Sequence, residues 1–156
     1  MSHDLPEDFI DMVACLRAED CEFLIVDAHA LAAHGAPRAT GDLDIFVRAD
    51  AINAERVYRA LLRFGAPVAA HGVTPEDFRQ PGTVYQLGLP PNRIDILTQL
   101  SGVDFDEAAR DTVPGHLGSE PVRCIGLDAM IRNKHASGRA KDVADAATLE
   151  EIRDRR

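Results

Sequence analysis

The stretch Gly41-Asp42-Leu43-Asp44-Ile45-Phe46-Val47 alternates in side-chain character. A period of two predicts a strand with Leu43, Ile45 and Val47 on one face and Asp42, Asp44 and Phe46 on the other. Strand positions i and i+2 lie about 6.6 Å apart and point the same way, so Asp42 and Asp44 stand side by side. Two neighbouring like charges are costly without a cation. A divalent ion removes that cost, and hard oxygen ligands favour Mg²⁺ or Mn²⁺ over zinc. An Asp-x-Asp on an exposed strand is, taken alone, usually just solvated. The stretch Arg93-Ile94-Asp95-Ile96-Leu97 adds a third acid, with Asp95 facing opposite to Ile94 and Ile96. If that strand lies beside the first, the three acids share a site that can hold two metal ions, which suits phosphoryl or nucleotidyl transfer.

Outward from these strands the chain alternates helix and strand. Leu5, Phe9, Met12, Val13 and Leu16 recur at helical spacing, with Asp4 as a cap and Pro6 suited to the first turn. Residues 22–26 (EFLIV) read as a buried strand and Ala28 to His34 as a helix stopped by Gly35 and Pro37. A helix is predicted over 50–64, with Ile52, Val57, Leu61 and Leu62 facing inward. Residues 66–82 hold three prolines and two glycines and read as loop, with a helical turn near Glu76. Strands follow over 83–89 and 93–98, joined by the turn Pro90-Pro91-Asn92. A short helix (104–110), a hairpin (112–117 with 121–125) and two helices (127–136 and 140–153) complete the chain. This order predicts one mixed α/β (α+β) domain over 1–156, a mixed sheet flanked by helices. Residues 22–98 would form the catalytic sheet region and 104–156 the C-terminal hairpin and helices.

Composition bounds the function. The 156 residues suit one domain, and 46% hydrophobic with 28% charged residues excludes a disordered chain. No apolar run approaches the roughly 20 residues of a membrane span, so no membrane partner is expected. The acidic stretch MSHDLPEDF lacks a secretion signal's basic-then-apolar pattern, which predicts a cytoplasmic protein. Basic residues number 17 against 26 acidic, a net charge of −9, the opposite of a duplex-DNA binder. The balance fits a site that gathers carboxylates around a cation. Cys15, Cys21 and Cys124 are odd in number without C-x-x-C spacing, and read as free thiols. His29 and His34 are five apart, not the i, i+4 pair of a helical zinc site. Ser101, Ser119 and Ser137 lack a nucleophile-elbow context, and neither a Walker A loop nor G-x-G-x-x-G occurs.

Residues 23–31 (FLIVDAHAL) and 34–45 (HGAPRATGDLDI) together resemble the opening of the DNA polymerase beta-like nucleotidyltransferase superfamily. Within it the chain is most similar to the bacterial abortive-infection (AbiEii-type) toxins and minimal nucleotidyltransferases. There a strand ends in a Gly-Gly or Gly-Ser turn, a helix follows, and R-x-T-x-D-[IL]-D comes next. Arg93 to Leu97 resembles the third-acid strand, and residues 133–145 (NKHASGRAKDVAD) resemble a K-x(4)-R-x-K-D-x-x-D segment. The likeness spans residues 22–150.

The resemblance implies that Asp42, Asp44 and Asp95 ligate Mg²⁺ or Mn²⁺, with Asp95 as the general base or a second ligand near the acceptor. It implies Arg38 and Thr40 at the site's edge, and Lys134 and Lys141 near an NTP's triphosphate. Asp142 would orient a neighbouring lysine. The implied activity is transfer of NMP from an NTP to an RNA, protein or small-molecule hydroxyl, with tRNA or a protein the favoured acceptor. A cognate toxin or antitoxin is the implied partner. One departure stands out: the glycine turn is here Asp27-Ala28. Asp27 puts a carboxylate where phosphates should sit, lacks glycine's conformational freedom, and would cap the following helix's N–H groups against them. The alternative is therefore a catalytically weak protein of the same fold that acts as a binding or regulatory partner.

Overall fold

The protein is described here by a computed structural model covering residues 5–36 and 41–156. The expected Asp4 cap and Pro37 stop lie outside the described residues. Helix α1 (Glu7–Ala18) starts after Pro6, whose missing N–H costs nothing at a helix start. It buries Phe9, Met12, Val13 and Leu16, the predicted stripe. Strand β1 (Phe23–Val26) leads directly into α2 (Ala28–Ala33). Strand β2 (Leu43–Val47) and helix α3 (Ala51–Phe64) follow. A 3₁₀ turn (Pro75–Arg79) carries the expected helical turn, closed by a reciprocal Thr74–Asp77 capping box. Then come β3 (Val84–Leu87), β4 (Ile94–Leu97), α4 (Phe105–Ala108), β5 (Val113–Leu117), β6 (Glu120–Cys124), α5 (Leu127–Ser137) and α6 (Ala140–Asp154).

The strands make one mixed six-stranded sheet in the order β3-β4-β2-β1-β6-β5, flanked by helices. Strand β2 runs antiparallel to β1 and parallel to β4. The β5–β6 hairpin joins this sheet, because β6 lies parallel to β1 with Ile25 level with Cys124. Helix α1 packs on α3, and α5 on α6. Leu43, Ile45 and Val47 are fully buried as the alternation requires, and Phe46 on the opposite face is buried against Phe105 of α4. Asp44 shares that second face, so the sheet is covered there except around the acids.

Helix α3 departs from the expected inward face. Val57 and Leu61 are buried, but Ile52 is 68% and Leu62 54% exposed. At about 100° per residue, both project about 140° from the stripe centred on Val57. The inward place near the helix start belongs to Asn53, which donates to the Glu22 and Arg48 carbonyls and accepts from the Glu22 N–H at 2.7 Å. All three cysteines are free. Among the described residues no helix is long and apolar enough to cross a membrane.

Candidate functional site

Register brings the acids together. Asp44 of β2 pairs with Asp95 of β4 on one side and with Val26, the last residue of β1, on the other. The chain then passes to Asp27, so four aspartates gather where β1 ends and β2 and β4 begin. A cavity of about 550 Å³ opens over them, bordered also by Arg93, Lys134, Arg139, Lys141 and Asp142. Asp27, Asp42 and Asp44 line it. Asp95 is 6% exposed and lies under the Arg93 side chain.

The electrostatics follow from this crowding. The Asp44 carboxyl is pushed up to about 8, first by burial, then by the charges of Asp27 and Asp95, a hydrogen bond shared with Asp95, and Asp42. Arg93 is the cation that meets Asp42 and Asp95. Its Nε donates to Asp95 Oδ1 at 2.7 Å and its Nη2 to Asp95 Oδ2 at 3.2 Å, while Nη2 lies 3.4 Å from Asp42 Oδ2. The Arg93 backbone N–H donates separately to Asp42 Oδ1 at 3.0 Å. Among the described residues, no three carboxylate, imidazole or thiol side chains stand ready to hold a metal ion as they are arranged. Arg93 was not singled out from sequence; its place two residues before Asp95, on the same strand face, is the signal that marks it.

Asp27 has φ 58° and ψ −134°, a backbone conformation suited to glycine. The expected capping of α2 is not made: the Asp27 side chain accepts no bond from that helix. It accepts instead from Lys134 Nζ at 2.6 Å. The ammonium adds a full positive charge that a backbone N–H lacks, so the pair gains Coulomb attraction as well as the hydrogen bond. The N–H groups at the start of α2, beginning with Ala28, are therefore not taken up by Asp27.

Lys134 is 2% exposed and also bonds Asp142 Oδ1 at 3.2 Å, with Asp145 Oδ2 at 3.5 Å. Burial alone would lower its pKa, but the bond and charge of Asp27 and the charge of Asp142 raise it. Burial would likewise raise Asp142, yet bonds from Ser137 (2.5 Å) and Arg139 (2.7 Å) and the charge of Lys134 hold it at about 2. A phosphate reaching Lys134 must therefore displace Asp27. Lys141, in the first turn of α6, is exposed at the cavity's edge. Arg38 and Thr40 lie outside the described residues.

No protein-family model matches the chain, and no curated protein matches it. Among solved structures, it is similar to a Thermotoga maritima protein assigned as a nucleotidyltransferase, with a TM-score of 0.53. The match covers 99% of this chain and 98% of that one at 13% identity. An identity so low carries the fold alone: this chain has a nucleotidyltransferase-like mixed sheet flanked by helices.

Proposed function

We propose that this protein is a metal-dependent nucleotidyltransferase that moves NMP from an NTP to a hydroxyl of an RNA, a protein or a small molecule. The observation that carries this reading is the β2–β4 register, which sets Asp44 level with Asp95 beside Asp42 under one cavity. The donor set suits Mg²⁺ or Mn²⁺ in kind: it is all carboxylate oxygen, and burial together with the neighbouring Asp27, Asp95 and Asp42 raises the Asp44 carboxyl. Asp42, Asp44 and Asp95 would hold the ion. When bound, it would lend the attacking oxygen nucleophilicity and offset charge on the leaving pyrophosphate. The acceptor oxygen bonds to the α-phosphorus, the bond to the bridging oxygen breaks, and Asp95 takes the hydroxyl proton. Lys141 and Arg139 at the cavity's edge supply positive charge for the triphosphate. The narrower likeness to abortive-infection toxins rests on sequence motifs alone.

The test is incubation of the pure protein with labelled NTPs, Mg²⁺ or Mn²⁺, and total RNA or cell extract. Metal-dependent label transfer is expected, reduced roughly 100-fold or more in Asp42→Ala. One observation favours the alternative of a catalytically weak binding partner: Asp27 takes up Lys134, the buried cation nearest the phosphate turn. Absence of both label transfer and NTP binding would decide for it.

A further inference from the structure

We propose that Arg93 is a displaceable internal counter-ion, whose guanidinium holds the aspartate cluster closed until a divalent cation takes its place. The inference rests on the metal-dependent reading above and adds a linkage: metal entry and Arg93 release are one event.

The geometry supports the exchange. A single guanidinium spans two of the three expected ligands, meeting Asp95 with both Nε and Nη2 and reaching Asp42 with Nη2. This fork-on-fork contact covers the oxygens a metal would need. Among the described residues no three carboxylates stand ready for a metal while this contact holds. The two partners differ in freedom. The Arg93 side chain is 27% exposed and can swing into the open cavity, whereas the Asp95 side chain is 8% exposed and lies beneath it. Asp42 is held independently by the Arg93 backbone N–H. Losing the guanidinium contact therefore leaves Asp42 anchored, removes the cation between the two carboxylates, and frees the Asp95 oxygens to turn toward an incoming ion. Apparent metal affinity is then reduced by the fraction of molecules in which Arg93 has let go.

The experiment is titration of the full chain with Mn²⁺ alone, following free Mn²⁺ by electron paramagnetic resonance, with no nucleotide present. Arg93→Gln removes the charge and keeps much of the stem; Arg93→Lys keeps a point charge without the fork. Arg93→Gln should bind Mn²⁺ about tenfold tighter than wild type, with Arg93→Lys between them. Lys141→Gln removes the same charge from the cavity's edge without touching the acids and should change the affinity by less than about twofold. Thermal melts establish that each variant is folded. If wild type binds Mn²⁺ and Arg93→Gln binds it no more tightly, or if Lys141→Gln gains as much, the counter-ion role is overturned while the metal site stands. If neither wild type nor Arg93→Gln binds Mn²⁺, the metal-dependent reading falls and this inference with it.

Discussion

At Asp27 one side chain carries two opposing effects. Its positive φ with ψ −134° is a conformation costing a non-glycine residue on the order of 1–3 kcal/mol. Its carboxylate offsets part of that by pairing with buried Lys134 at 2.6 Å. The same carboxylate adds negative charge beside Asp44, on the wall of the cavity where a triphosphate would lie. Asp27→Gly relieves the backbone, opens the turn and frees Lys134 from one of its three partners. We expect NTP binding in Mg²⁺ to strengthen by about tenfold, roughly the worth of one charge-assisted hydrogen bond. Equilibrium dialysis against labelled ATP and GTP measures it, and unchanged affinity would mean the turn does not limit binding. This residue was legible in part. The missing glycine could be seen against the motif, and the strain follows from it. That the side chain would turn from α2 to a lysine 107 positions away was not, because the choice depends on where α5 lands.

Helices α5 and α6 meet at a buried ionic junction, not an apolar one. Lys134 of α5 faces Asp142 and Asp145 of α6, while Ser137 and Arg139 complete the Asp142 shell. Removing the lysine takes the buried cation from Asp142, which is 1% exposed and keeps only Ser137 and Arg139, and from Asp27. Lys134→Met keeps the stem's packing and should cost about 3–5 kcal/mol, the typical penalty for breaking one side of a buried pair. Urea unfolding of wild type and variant checks this; a loss below about 1 kcal/mol would show the junction to be solvated in solution. Sequence reading marked Lys134, as a group near the triphosphate, and Asp142, as a group that orients a lysine. A buried lysine cannot be told from an exposed one by spacing alone. Elements themselves were more legible, since Gly or Pro punctuates most boundaries and each predicted helix and strand has a counterpart. Pairing was less so: that the β5–β6 hairpin would extend the main sheet through β6 beside β1 depends on contacts about 100 residues apart. Within α3, Ile52 and Leu62 drew attention by hydrophobicity, while the angular position that decides burial favoured Asn53.

Across the molecule, a net charge of −9 concentrates its clearest consequence at the Asp44–Asp95 pair. An ordinary aspartate titrates near about 4, and Asp44 is pushed up to about 8 in the folded protein. Between those values the folded state binds more protons than the unfolded one, so stability falls as pH rises from about 4 to about 8. Asp142 works in the opposite sense: held at about 2, it contributes stability above about 4 that is lost as pH falls through about 2. The metal-free protein should therefore be most stable on the acid side of neutrality. General repulsion among the surface acids slopes the same way, so the informative quantity is a difference between two proteins. Asp44→Asn removes the titrating group and one of the crowded charges while leaving Asp142 untouched. Thermal melts in EDTA from about pH 3 to 9 should show this variant gaining on wild type as pH rises, with parallel curves below about pH 4. Saturating Mg²⁺ should raise the wild-type curve at pH 8 and do less for Asp44→Asn, because a cation stabilises the folded state only as far as it binds there. Curves that stay parallel across the whole range would mean that Asp44 is not held protonated, and that Arg93 and Lys134 balance the cluster.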